Sequence, residues 1–481
     1  MKSISFFSLS YHLFIKFLTV IGSFVTLNLV AGHLGATAYG YWAQINSTAN
    51  LLVPVVLLQL PVAFVRFYQA KDFPSNQAMG SLLIVNWVTF AFLGGLFLLF
   101  EGVFSQLLFG RDDLTDFLRL LFVFVFFKSN LQMVTSYFRA SGQTNTYSNI
   151  LAIDAAVQII LLWVFIAILN FSVEGVVLSY VAVDAVIVLI ILLWMWLFKK
   201  NLRFVIANQR KTITHFVYYC IPLVPHVFLF WIFNLSDRYF LVHYHGIKTT
   251  GIYNAAYLFG SMLIVVQAAL NFIVLPEAIR LWEAGRKYAA FMMLKQFQDI
   301  FLLSGIFVVG VFSVVGADVL KIVGTGEFDV PPWVIMLITT GALLFGTDQF
   351  IRNIFHLQKK TKQLPLFFLV TAVCNVLFNF LLIPRLGIFG AACSTFITFL
   401  IQYLILVYYG YKVALLLPDY KNCLKVLLVV ALAAITAIYW SPYLVTDILI
   451  FVVAYFLAVF LFNWIDIKGL WSMLNKNKVH E

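Results

Sequence analysis

Apolar runs of about 20 residues recur along the whole chain, separated by short polar segments. That is the length at which a helix crosses the hydrocarbon of a bilayer. Fourteen such runs are predicted, at roughly 10–32, 42–64, 78–100, 117–138, 149–169, 176–198, 216–243, 252–275, 298–320, 332–354, 364–383, 388–409, 422–440 and 445–464. The fourth holds Lys128 and the tenth holds Asp348 and Arg352, so these two are charged inside the run. The fold class is an all-α polytopic membrane protein. The first run reads as an uncleaved span, being too long for the apolar core of a signal peptide. The segment 276–297 reads as an interfacial amphipathic helix anchored by Trp282. No connection is long enough to house a soluble catalytic domain, so an enzyme is not expected.

The basic residues test this count. With both termini in the cytoplasm, inside segments carry 23 Lys and Arg against 6 outside, with Lys128 and Arg352 left within spans. A shift of one span scrambles that asymmetry. The net charge of +11 is therefore spread over inside loops, and no nucleic-acid partner is implied. Composition agrees: 63% hydrophobic, 17% aromatic, 11% charged, mean hydropathy +0.98. Cys220, Cys374, Cys393 and Cys423 lie in or beside spans without CxxC spacing and read as packing residues. His226, His243 and His245 have no matching acids or cysteines, so neither a metal nor another cofactor is expected.

An internal repeat organises the chain. Gly35 and Gly40 after the first run are echoed by Gly246 and Gly251 after the seventh, an offset of 211. Leu60-Pro61-Val62-Ala63 is echoed by Leu275-Pro276-Glu277-Ala278 at 215, Phe138-Arg139 by Phe355-His356 at 217, and Gly175 by Gly390 at 215. The unit is six spans, an even number. Two parallel lobes related by a pseudo-two-fold axis along the membrane normal follow, with substrate expected between them. The boundaries are 1–198 for the first lobe, 199–215 for a cytoplasmic linker, 216–409 for the second lobe and 410–481 for an accessory helix pair and tail.

The LGxxxYGYW turn at 34–42, SDRYF at 236–240 and GIYNAAY at 251–257, within two six-span halves plus two spans, resemble bacterial polysaccharide flippases. These are the Wzx-like transporters of the MOP superfamily, related to MATE exporters and the lipid II flippase MurJ. The resemblance covers the whole chain. It implies transport of undecaprenyl-pyrophosphate-linked oligosaccharide from the inner to the outer leaflet of the bacterial cytoplasmic membrane, by alternating access. Implied partners are the lipid-linked substrate, membrane lipid, and the polysaccharide polymerase and chain-length machinery. The chain has no GxxxxGK[ST] loop, so it is not itself an ATP-driven pump.

A sugar-pyrophosphate head group requires a polar, cationic cavity, and charges inside spans are costly enough to mark candidates. Arg238 either holds the pyrophosphate, with Asp237 positioning it or titrating, or forms a salt bridge at the outer boundary. By the offset the pair corresponds to Thr26 and Leu27, so it belongs to one half only. Lys16, one turn from His12, and Arg66 are cations at the inner ends of their spans, serving either an entering phosphate or the membrane interface. Lys128 has Asp154 and Asp184 as natural partners, in a structural ion pair or a proton or sodium site. Asp348 and Arg352 are four apart on one helix face, a structural pair or an inner gate. Pro222 and Pro225 break the seventh span and are candidate hinges. The rival readings are a MATE-type cation or drug antiporter, favoured if acids prevail over bases in the cavity, and a lipid II flippase.

Overall fold

The computed structural model describes residues 6–68, 79–199, 210–324, 326–414, 419–440 and 443–462. Most of the expected inter-lobe linker, 200–209, and the tail beyond 462 lie outside the described residues, as do the side chains of His12 and Lys16. Among the described residues every regular element is helical. That is the outcome required where lipid offers backbone groups no partner. The principal helices are α1 (Phe6–Val56), α2 (Leu60–Phe67), α3 (Met79–Leu99), α4 (Glu101–Phe109), α5 (Thr115–Ala140), α6 (Thr144–Trp163) and α7 (Val173–Trp194). They continue with α8 (Arg210–Cys220), α9 (Val224–Leu235), α10 (Asp237–Glu283), α11 (Lys287–Val323), α12 (Pro332–Leu357), α13 (Leu364–Ala414), α14 (Tyr420–Trp440) and α15 (Leu444–Phe462).

Eleven helical segments are long and apolar enough to cross a membrane, and Leu444–Val459 is a shorter apolar one. The expected fourteen runs map onto them because bends fuse neighbours. α1 holds the first and second runs on either side of Gly35, and α13 holds the eleventh and twelfth on either side of Gly387. The seventh run is spread over α8, α9 and the start of α10, whose remainder after Gly246 is the eighth. Large apolar side chains such as Leu189, Ile190 and Trp196 are exposed along these helices, as a lipid-facing surface requires.

The repeat is visible in the backbone. Gly35 has φ 84°, ψ 171° and Gly246 has φ 82°, ψ 170°, a conformation open only to glycine. The helical arms that follow cross each other. A Cβ on Gly40 would lie 2.3 Å from the Ile247 carbonyl oxygen, and one on Gly251 would lie 2.8 Å from the Ala36 carbonyl oxygen. Since Ala36 and Ile247 are themselves 211 apart, these two contacts are the same contact made twice, in reciprocal directions. The arm after Gly35 is also capped. Glu327 accepts the Ala36 backbone N–H at 2.8 Å, placing a carboxylate at a helix N-terminus.

Several local expectations are corrected. The second run does not continue to residue 64 as one helix. It breaks after Val56, where Leu58 (φ 48°) and Gln59 (φ 59°) are left-handed, and restarts with Pro61 in the first turn of α2. Pro276, its counterpart in the repeat, is instead accommodated inside α10. The segment 276–297 is no separate amphipathic helix. It comprises the end of α10, a turn with Gly285 at φ 77°, and the start of α11, with the Lys287 ammonium 5.2 Å over the Trp282 ring. The proline break in the seventh run is present as a single 3-10 turn, Ile221–Leu223, between α8 and α9.

Packing divides the chain into two compact units, and their division runs across the sequence halves. One comprises Met1–Leu258, Lys321–Asp329 and Phe368–Thr395; the other comprises Phe259–Leu320, Val330–Phe367 and Phe396–Glu481. The first holds the glycine crossing and a span-to-span seam. In that seam Trp231 Nε1 donates to the Ser47 carbonyl at 3.1 Å, and the Thr48 and Tyr239 hydroxyls meet at 2.6 Å. In the second unit the accessory helices lean on α11 at Gly310, where a Cβ would meet Val430 at 2.5 Å and Phe451 at 3.0 Å.

Helix association in lipid depends on close packing rather than on hydrophobic drive, so the crossing is a sensitive point. Gly40→Val and Gly251→Val are each expected to destabilise the detergent-purified protein by about 1–3 kcal/mol, as overpacked sites do. Gly95→Ala, where a Cβ meets nothing within 4 Å, is expected to be neutral or slightly stabilising. Thermal unfolding followed by size-exclusion chromatography measures the order. Equal melting of Gly40→Val and Gly95→Ala would remove the crossing from its structural role.

Candidate functional site

Three charged residues from three helices meet in the first unit. Lys128 lies midway along α5, Asp154 on α6 and Asp184 on α7. The Lys128 Nζ is 3.4 Å from Asp184 Oδ1 and 3.7 Å from Asp154 Oδ2. The Asp184 side chain is fully enclosed, Asp154 nearly so, and Lys128 is 35% exposed. Asp154 is further held by Gln158, whose Nε2 donates to Oδ1 at 2.8 Å. Such a triad is costly in lipid unless each charge has a partner. Here one ammonium serves two carboxylates, and Asp184 Oδ2 lacks a hydrogen-bond partner among the described residues.

The exposed side of Lys128 faces a cavity of about 280 Å³. Its wall includes Thr26, Tyr39, Trp42, Asn46, Asp154, Gln158, Tyr180 and Asn254, from α1, α6, α7 and α10. Trp42 is fixed by rings on two sides, with Tyr180 at 4.3 Å and Phe124 at 5.8 Å between centroids. Tyr180 is tied in turn to Thr26, with 3.1 Å between hydroxyls.

Asp237 and Arg238 form the adjacent cluster, and both are about 2% exposed. The Arg238 guanidinium donates to Asp237 Oδ1 at 2.9 Å, to the Asn234 carbonyl at 3.1 Å and to Asn254 Oδ1 at 2.9 Å. It lies 4.5 Å from the Tyr257 ring centroid and 5.8 Å from that of Tyr253. Asp237 Oδ2 accepts from Tyr253 at 2.6 Å and from Thr395 at 3.2 Å. Arg238 is therefore enclosed and paired, reaching the cavity only through Asn254, whose amide is 3.5 Å from the Tyr39 hydroxyl.

The remaining candidates stand apart from these two clusters. Arg66 donates to the Tyr219 hydroxyl at 2.9 Å beside the Phe67 ring, joining α2 to α8. In the second unit Asp348 and Arg352 are buried and ion-paired along α12, and Gln402 donates to the other Asp348 oxygen at 2.7 Å. Pro222 and Pro225 lie at the break between α8 and α9. The described residues contain no group of His, Cys, Asp and Glu able to hold a metal.

The repeat identifies what is special to the first half. At offset 217 Lys128 corresponds to Phe345, and at 215 Asp184 corresponds to Phe399. Those two phenylalanines stack with centroids 5.1 Å apart. The same inter-helix position is thus an ion pair in one half and two stacked rings in the other, where the Arg352 guanidinium lies 4.9 Å from the Phe345 centroid. Well-packed apolar groups commonly replace a buried pair at no cost in stability. The amides and the tryptophan of the cavity wall gave no sequence signal of their own, because neutral and aromatic residues inside spans carry no penalty that draws notice.

Lys128→Met alone leaves two buried carboxylates unpaired. It is expected to cost about 2 kcal/mol, less than the roughly 3–5 of a fully enclosed pair, because the ammonium faces the cavity. Combining it with Asp154→Asn and Asp184→Leu is expected to recover most of the loss in a melting assay. A triple variant less stable than the single one would make the cluster a structural requirement.

Comparison with known proteins gives the fold and the family. Residues 8–276 match the family model described as polysaccharide biosynthesis protein, more than half of the chain. No curated protein matches the sequence. Among solved structures, the lipid II flippase MurJ in an inward closed conformation is similar at TM-score 0.76 and 14% identity, over 97% of this chain and 99% of that one. An inward-facing multidrug resistance MATE transporter of the MOP superfamily is similar at 0.64 and 14%, over 85% and 98%. A MOP superfamily transporter from Pyrococcus furiosus, described as having a binding pocket of reverse polarity, is similar at 0.58 and 14%, over 85% and 95%.

Proposed function

The chain belongs to the polysaccharide biosynthesis protein family, and on that premise we propose that it flips polyprenyl-pyrophosphate-linked oligosaccharide units across the bacterial cytoplasmic membrane. It is a multi-pass membrane transporter of the flippase kind. Outward movement of the glycan, both termini in the cytoplasm and supply to a polymerase with its chain-length machinery complete the reading. The observation that carries it is the Lys128 cluster beside a polar cavity, at positions where the other half of the repeat uses stacked phenylalanines.

A head group with phosphates and sugar hydroxyls cannot enter hydrocarbon without substitute partners for its water. A walled space with one ammonium, one carboxylate and amides supplies them, with a second carboxylate, Asp184, enclosed behind the ammonium. Lys128, shared between Asp154 and Asp184, can exchange one carboxylate for a ligand oxygen. The carboxylate released then takes a cation or proton, which couples transport to an ion gradient. Asp237 and Arg238 act indirectly, by orienting Asn254. Arg66 serves as an anchor at the α2–α8 contact, and the Asp348–Arg352 pair as a lock on α12. The break at Pro222 and Pro225 is the bending point of the seventh span.

Deletion of the gene should cause lipid-linked repeat units to accumulate in the inner leaflet. Wild type should restore export, and the stable triple variant Lys128→Met, Asp154→Asn, Asp184→Leu should not. Mass spectrometry of extracted lipid-linked glycans reads the result. The two acids against one base in this cluster, Asp154 on the wall and Asp184 behind it, also suit a cation antiporter. Unchanged glycans together with new sensitivity to cationic drugs would replace the flippase reading with that one.

A further inference from the structure

We infer that the cavity beside Lys128 binds a single sugar ring of the head group, a neutral pyranose, and not its pyrophosphate. The inference rests on the transport reading above and adds what this particular cavity recognises.

Size comes first. At about 280 Å³ the cavity falls just below the range of about 300–1,000 Å³ that encloses drug-sized ligands. It has room for one ring, not for a repeat unit of several.

Charge comes second. A pyrophosphate needs more than one cation to offset its charge, and among the described residues the wall supplies Lys128 alone, already shared with two carboxylates. Arg238, the nearest other cation described, is enclosed and saturated by Asp237, Asn234 and Asn254. A cationic ligand meets Lys128 beside Asp154 on the wall, Asp184 is enclosed behind them, and the rest of the wall is rich in amides and hydroxyls.

Polar geometry comes third. Sugar hydroxyls each donate and accept, so they are recognised by amides and carboxylates whose orientation is fixed in advance. Gln158 is held at its amide nitrogen by Asp154, leaving the cavity its carbonyl oxygen. Asn254 is held at its oxygen by Arg238. Asn46 is exposed on the same wall. Tyr39 and Trp42 line the wall only by their edges, being 3% and 5% exposed, and Trp42 is immobilised between Tyr180 and Phe124.

The repeat adds an internal contrast. At offset 211 Trp42 and Asn46 correspond to Tyr253 and Tyr257, the two rings that lie against the Arg238 guanidinium. The second half has filled these positions with tyrosines on an arginine. The first half keeps a tryptophan and an amide on a cavity wall.

The test uses the full chain in lipid nanodiscs and saturation-transfer NMR. Probes are glucose 1-phosphate, galactose 1-phosphate, N-acetylglucosamine 1-phosphate, inorganic pyrophosphate and tetraphenylphosphonium. Expected are saturation of ring protons, a preference among the three sugars, and weak or no competition by pyrophosphate. Asn46→Leu and Gln158→Leu should each weaken the preferred sugar about tenfold, the effect of losing a hydrogen bond inside a cavity. Ala155→Leu, which narrows the cavity from its wall, should abolish binding, with melting curves confirming that each variant is folded. Competition by pyrophosphate at equal affinity, binding indifferent to the sugar, or displacement by tetraphenylphosphonium would overturn the assignment. Absence of ring saturation alongside glycan accumulation in the deletion strain would overturn it while leaving the transport reading intact. Absence of both would remove the two together.

Discussion

The close crossing of the arms after Gly35 and Gly246 is the constraint on which the rest of the first unit depends. Where solvent is lipid, two helices gain nothing from hiding apolar surface from each other, so backbone proximity must supply the attraction. Gly40 and Gly251 allow it, since each contacts the other half of the repeat through a carbonyl oxygen where a side chain would not fit. Because the contacts are reciprocal, the crossing defines the local two-fold relation. It also places Tyr39, next to Gly40, and Asn254, one turn after Gly251, within 3.5 Å of each other at the cavity edge. The glycine bends leave helix ends that need partners, and Glu327 provides one at the Ala36 amide.

Much of this fold was legible in the sequence because a bilayer imposes a length. Spans of about 20 residues, charges between them and two glycines repeated at offset 211 are direct consequences of that geometry. The bends at Gly35 and Gly246 share their torsions as the repeat requires. What escaped depends on local backbone choices without a compositional mark. Leu58 and Gln59 take left-handed torsions although neither is a residue that favours them. The short α4 looks like ordinary loop between two spans. Residues 276–297 carry amphipathic spacing, yet they are the ends of two long helices joined at Gly285, since a glycine at φ 77° ends a helix more decisively than periodicity extends one.

The candidate site was legible to the extent that it is charged. An ionised group inside a span is expensive enough to be noticed, and the partnership of Lys128 with Asp154 and Asp184 is the arrangement that lowers its cost. The enclosure of Arg238 was not legible. Sequence gives its depth along the helix, while its exposure depends on Tyr253, Tyr257 and Asn254, which lie four and five turns further along the bent α10. A charge at membrane depth is thus a reliable sign of a specific environment and a poor sign of contact with ligand.

Comparison of the two halves separates those meanings. The fold is satisfied at the Lys128–Asp184 position by two stacked phenylalanines, as Phe345 and Phe399 demonstrate. Retaining an ion pair and a second acid there costs desolvation that the stacked rings avoid. Asp237 and Arg238 show the opposite logic. Their charges are consumed internally, every principal contact is made by a neighbour, and two aromatic rings close over the guanidinium. One half therefore keeps its polar groups unsaturated toward a cavity, and the other spends them on its own packing. A transporter that must bind and release a polar ligand needs that division. Binding requires groups whose partners can be exchanged, and exchange is possible only where the structure has left a lone pair or an ammonium face uncommitted.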